Sequence, residues 1–405
     1  MTESVSSLAP GPAPDPDARR RSRRRTLLLA LLLLLAITGL LLWIFIGPDG
    51  DDGADDARGS SPRAELTRAA GLLRELPALH YTGTMKITGA QGAAGGEDAR
   101  VDLIVSNPAD ALGTLAMPSS PALDYTGIGG RSFLRGETEA WRALGMAEKS
   151  KVLAEHPSMV QPGMFFSQDL ATTLAPPALA KTVRAKDPDE KITVGAPVTV
   201  GDHTCTPFHV GDTTICLSDR QADGARFVDR ISFGDTAVLD VKVPSRSEVE
   251  RFSADFRAAL PEIRDAVDPR IDVTTQILRD YKGECAPTAC VFTARVTVTY
   301  LGSTSEPDAS KAVPVTYSWT VDRDGTLVEL DPECSGTLVI QPGKSKDLSC
   351  TATGPSVGEA TRGQYRGEIH TSDRALTEEA YQRLVRLAAD NSEKIAALPD
   401  PPTSR

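Results

Sequence analysis

The stretch from Thr26 to Gly47, TLLLALLLLLAITGLLLWIFIG, carries no charged residue, and it constrains everything around it. At about 1.5 Å per residue it reaches about 33 Å, enough for the hydrocarbon core of a bilayer, so it reads as a single transmembrane helix. Arg19, Arg20, Arg21, Arg23, Arg24 and Arg25 stand before it, and Asp49, Asp51, Asp52, Asp55 and Asp56 follow it. Basic flanks resist translocation, so the amino terminus is expected in the cytoplasm and the rest outside. The apolar run is too long for a cleaved signal peptide and lacks a small-residue cleavage site. A lipid-modified anchor needs a cysteine just after the span, and the first cysteine is Cys205.

Cysteine use agrees with this orientation. Cys205, Cys216, Cys285, Cys290, Cys334 and Cys350 all lie beyond the span, and an even number in an exported segment suits disulfides. Their spacing favours the local pairs 205 with 216, 285 with 290, and 334 with 350. The whole chain of 405 residues has 44 Lys and Arg against 55 Asp and Glu, a net charge of -11. Such a balance leaves no basic surface for nucleic acid.

The remaining pattern divides the chain into six parts. Residues 1–25 read as a disordered basic cytoplasmic tail, 26–47 as the span in the lipid bilayer, and 48–63 as an acidic flexible linker. Residues 64–267 form an α+β domain. It opens with a helix striped by Leu66, Ala69, Ala70, Leu73 and Leu76, then runs through many Thr-, Val- and Ile-rich strands. Helices are expected in MAEKSKVLAEH and in SQDLATTLAPPALAKTV, the second divided near Pro176 and Pro177. Ser245 and Glu248 have capping-box spacing ahead of a stripe of Val249, Phe252, Phe256, Leu260 and Ile263. That helix could close the first domain or join it to the next. Residues 268–373 read as a small disulfide-braced β-sandwich beginning near ILRDY, and 374–405 as a C-terminal helix and tail.

No reaction is specified. His203, Cys205, His209 and Cys216 could ligate zinc, but a hairpin turning through His209 to Asp212 sets Phe208 opposite Thr213 and Cys205 opposite Cys216, where a disulfide removes both thiolates. The string Gly354, Ser356, Gly358 lacks the strand-to-helix setting of a nucleophile elbow. The pairs Asp187 with Asp189 and Glu378 with Glu379 sit in surface-like segments, the second just after the helix cap Thr377. The expectation is therefore no enzyme, no catalytic residue, no metal and no cofactor. Met159, Met164, Phe165 and Phe166 are residue types that adapt to flexible apolar ligands, and equally types that fill a core.

The segment GGRSFLRGETEAW, with Phe133 and Trp141, followed by GMFFSQDLATTLAPPALA between strand runs, resembles the LppX/LprG and LolA-type family of cell-envelope lipoproteins. That resemblance implies a curved antiparallel half-barrel with helices across its concave face, enclosing a cavity for acyl chains, with Met159, Met164, Phe165 and Phe166 as lining. The run from Cys285 to Cys350 is similar to immunoglobulin-like modules of actinobacterial exported proteins, which implies an extracellular setting. Two functions follow as expectations. One is binding or presenting a hydrophobic envelope ligand, a lipid or lipoglycan. The other is a non-catalytic scaffold that binds an envelope protein partner.

Overall fold

Residues 78–242 alternate apolar and polar side chains over run after run, and each run forms a strand. The structure is a computed structural model describing residues 61–88, 97–184, 189–222, 224–278, 285–286, 289–301, 311–323, 326–328, 330, 334–353 and 365–401. The expected cytoplasmic tail, the span 26–47, most of the linker and the Gly354–Gly358 string lie outside them. No helix among the described residues is long and apolar enough to cross a membrane. The chain is a mixed α/β protein built mainly on antiparallel sheets, with disulfides and a C-terminal helix.

Helix α1, Pro62–Glu75, is capped by the Ser61 hydroxyl, which accepts from the Ala64 amide. Twelve strands then make one sheet: β1 Ala78–Ile87, β2 Glu97–Ser106, β3 Ala111–Ala116, β4 Leu123–Ile128, β5 Arg131–Arg135, β6 Ser158–Val160, β7 Ile192–Val194, β8 Val198–Val200, β9 His203–Val210, β10 Thr213–Ala222, β11 Ala225–Phe233 and β12 Ala237–Lys242. The first six form a meander, β9 to β12 form another, and the two meet where β1 pairs with β12. Between β5 and β7 the chain makes α2 Thr138–Ala143, α3 Ser150–Glu155, α4 Leu170–Leu174 and α5 Pro176–Val183. The split between α4 and α5 falls at Pro176, as expected from its missing N–H. Gly83 and Gly113 sit where strands approach closely: a Cβ at Gly83 would lie 2.1 Å from the Val238 carbonyl oxygen. Such glycines mark tight bends in a strand.

The sheet buries two faces. Its inner face, with Leu79, Tyr81, Leu103, Tyr125 and Ile231, packs against α1 to α5. Its outer face packs Ala78, Ile104, Leu112, Ile128 and Phe133 against α6 Arg246–Ala259, a 3-10 helix Leu260–Asp265, and α7 Glu378–Ala397. The capping box at Ser245 and Glu248 is complete, and it holds the Glu248 carboxyl down at about 2 through the Ser245 hydroxyl and amide.

Between the 3-10 helix and α7 the chain leaves to build two smaller sheets. They use β13 Ile271–Ile277, β14 Cys285–Ala286, β15 Ala289–Tyr300, β16 Val313–Arg323, β17 Thr326–Leu327, β18 Ser335–Ile340, β19 Ser345–Thr353 and β20 Tyr365–Asp373. β15 carries β13, β14 and β19, while β16 carries β17, β18 and β20. The two sheets face each other across Val296 and Val298 on one side and Val315 and Ile340 on the other, with Phe292 against Trp319 at 6.2 Å. The first strand starts earlier than the ILRDY reading, at Ile271, because IDVTTQI supplies the alternation and extends along β15.

Cys205 and Cys216 are bridged, as are Cys334 and Cys350. Cys290 is also disulfide-bonded and sits opposite Cys285 in the β14–β15 register. The register expected for the first bridge is corrected. The turn is Gly211 and Asp212 alone, so Thr213 faces Val210 and Cys205 faces Ser218. Gly211, at φ 57°, permits this tighter turn, and the bridge runs diagonally across the outer face.

Helix α7 is fixed by a contact between sequence-distant residues. The Asn391 side-chain amide donates to Asp110 Oδ1 at 2.9 Å, and burial pushes the Asp110 carboxyl up to about 7 despite that bond and the Lys394 charge. A carboxyl raised on folding stabilises fully below its unfolded value near 4, and that contribution is lost as pH rises to about 7. Asp110→Asn should therefore raise the thermal midpoint at pH 8 by several degrees while matching the parent at pH 4, as read by calorimetry.

Candidate ligand clefts on the two faces of the sheet

The four residues singled out in the sequence are not gathered in one place. Phe165 and Phe166 are buried in the inner core, with Met164 half-buried beside them. Phe165 meets Trp141 at 6.3 Å and Phe166 meets Tyr125 at 6.3 Å. Met159 lies on β6 opposite Phe133, and its side chain packs into the outer core instead. Strand alternation explains the separation, since Ser158 and Val160 are fully buried while Met159 between them turns the other way.

Around those aromatics the inner layer is filled. Trp141, Tyr81, Tyr125 and Phe165 are each less than 2% exposed. The Tyr81 hydroxyl donates to the Leu174 carbonyl at 2.5 Å, and the Ala171 amide donates to the Tyr125 hydroxyl at 3.3 Å. These bonds fasten α4 to the sheet. Tyr125 also bonds Ser132 at 2.8 Å, whose hydroxyl donates to Asp169 at 2.7 Å, and Asp169 caps α4 through the Thr172 amide. Burial raises both tyrosine hydroxyls well above their ordinary range, keeping them protonated donors at neutral pH. Ser132 and Asp169 have no histidine among their hydrogen-bond partners, and the chain of bonds ends in a helix cap, which is a structural use.

Open space with apolar walls lies on the outer face. A cleft of about 290 Å³ runs between β3, β4, β5 and the 3-10 helix. Leu112, Phe133, Pro157, Ala259 and Ile263 make its apolar walls, and Asp124, Arg135 and Glu262 stand at its edge. Arg135 pairs with Glu262 at 2.5 Å, both about half exposed, so the charged rim stays hydrated. A second cleft of about 370 Å³ lies between α6 and α7, floored by Val249, Ile395 and Ala396 and edged by Arg246, Glu250 and Arg257. A third, about 480 Å³, is lined by Glu65, Arg68, Asp219, Gln221 and Arg226, so it offers charge in place of apolar wall. Sequence reading missed the outer clefts because the outer-face set Leu112, Phe133 and Ile263 comes from three elements, and only the one-in-two alternation of β3 and β5 hinted that they share a side.

An apolar trough with a few polar groups at its mouth has the chemistry to accommodate hydrocarbon, with a polar end at the rim. The zinc quartet cannot form, since Cys205 and Cys216 are bonded to each other.

No protein-family model and no curated protein matches the chain. Among solved structures, the chain is similar to LprF from Mycobacterium bovis, with 12% identity over 45% of this chain and 95% of that one, at a TM-score of 0.28. It is also similar to the MucA/MucB complex of Pseudomonas aeruginosa, with 10% identity over 76% of this chain and 98% of the matched one, at a TM-score of 0.23. Scores this low leave the chain's own residues as the basis for a functional reading.

If Phe165 is core and not the wall of a cavity, Phe165→Ala should cost about 3–5 kcal/mol in urea unfolding. A loss below about 1 kcal/mol would place empty space beside it.

Proposed function

We propose that this is a non-catalytic, membrane-anchored protein of the cell envelope that holds one hydrocarbon chain of an envelope lipid or lipoglycan in the cleft between β3–β5 and the 3-10 helix. The observation that carries the reading is the cleft itself, with Leu112, Phe133 and Ile263 as walls and Arg135 and Glu262 at the rim. Its volume is at the low end for small-molecule sites, which suits a slim chain better than a bulky multi-chain lipid. The half-barrel resemblance gives the same ligand class a different place, the inner layer, which side chains occupy here. The anchor at residues 26–47 is supported by its length and its unequal flanks.

A second reading, a scaffold for another envelope protein, is favoured by apolar side chains exposed on the two smaller sheets. Val291, Leu327 and Val339 are 47%, 76% and 57% exposed. The two readings separate in one experiment. Full-length protein in detergent-free nanodiscs is titrated with a fluorescent long-chain fatty acid, alongside Ala259→Phe, which fills the cleft from the end of α6. The lipid reading expects saturable binding that weakens at least tenfold in the variant with little change in thermal midpoint. Absence of saturable binding, or binding indifferent to Ala259→Phe, removes it and leaves the scaffold.

A further inference from the structure

The two smaller sheets hang from the large one by two neighbouring crossings, residues 266–271 and 373–375. The Val267 amide donates to the Pro157 carbonyl at 2.9 Å, the Met159 amide to Val267 at 2.8 Å, and the Ala375 amide to Ala266 at 2.7 Å. At this joint five charged groups come together: three from the first crossing and the start of β13, one from the end of β20 and one from just before α3. Asp268 is held by the Arg270 guanidinium, with Nε at 3.0 Å from Oδ1 and Nη2 at 2.8 Å from Oδ2. Arg270 also reaches the Tyr300 hydroxyl at 2.9 Å. Lys149, just before α3, donates to the Ile271 carbonyl and lies 3.8 Å from Asp272. Asp373 accepts from the Asp268 amide at 2.8 Å. Beside them, Arg374 pairs with Asp265 at 2.7 Å, which neutralises that pair.

Arg270 grips Asp268 and Lys149 lies against the more exposed Asp272, while Asp373, only 7% exposed and next to Asp268, makes no ion pair among the described residues. Bringing an unmatched charge into such a place is costly, and opening the joint to water relieves it. We propose that the joint is a proton-operated latch: with Asp373 protonated the crossings are locked and the two smaller sheets keep one orientation, and with Asp373 ionised the crossings open.

Burial, reinforced by the Asp268 charge, pushes the Asp373 carboxyl up to about 7, against the opposing pull of the Asp268 amide and Lys149. Burial lowers the Lys149 ammonium, opposed by the charges of Asp272, Asp373 and Asp268. The closed joint therefore binds a proton that the open joint releases. Its stabilisation is complete below about pH 4 and is lost as pH rises through about 7. The latch requires no ligand in the outer cleft, and its test uses none.

The test is amide hydrogen exchange on the full-length protein from pH 4 to pH 8, corrected for intrinsic rates. Protection of residues 266–271 and 373–375 should fall about tenfold per pH unit up to about pH 7 and then level. The slope should vanish in Asp373→Asn, whose amide oxygen can still accept from Asp268, and persist in Asp110→Asn, which silences the other raised carboxyl. A flat parental profile overturns the latch. So does a slope that survives Asp373→Asn, or one that disappears in Asp110→Asn. Should Asp373→Asn fail to fold, the parental profile and Asp110→Asn still decide.

Discussion

A twelve-stranded sheet with apolar side chains on both faces has to be covered twice, and that requirement organises the rest of the molecule. The inner face receives its cover from local chain, the helix before β1 and the four short helices between β5 and β7. The outer face over β1 to β5 has no local chain left to cover it. Ala78, Ile128 and Phe133 are buried there only because α6 follows β12 and α7 returns from more than a hundred residues later. The two smaller sheets are thus inserted between two helices that serve the large one, and the joint at Asp268 and Asp373 is a direct consequence.

Cover on the outer face is incomplete, and this gives the protein its candidate site. The 3-10 helix, tighter and shorter than the α-helix it continues, leaves a trough over β3 to β5, and α6 and α7 diverge enough to leave another. On the inner face, tyrosine hydroxyls and a capped helix close the layer around Trp141 and Phe165. Hydrocarbon binding and core packing draw on the same residue types, and geometry decides between them. Phe133 serves both, contributing to the outer core and to the cleft wall.

Much of the local structure was legible because local causes produce it. Ser245 with Glu248 announced α6, and Pro176 divided α4 from α5. The register of the β9–β10 hairpin was not legible, because the turn could close at Gly211 or begin at His209, and only the whole sheet selects one. The site was less legible still. Met159 and Met164 lie five positions apart in sequence yet serve opposite faces of a sheet. Asp110 and Asn391 meet across 281 residues, and nothing near either one advertises the other.

The account turns on where hydrocarbon sits. A ¹³C-labelled long-chain fatty acid bound to the full-length protein, examined by isotope-edited nuclear Overhauser spectroscopy, gives the most direct reading. Contacts from the acyl chain to Leu112, Phe133 and Ile263 are the predicted result. Contacts to Phe165 and Phe166 in their place, or no intermolecular contact at all, would contradict it.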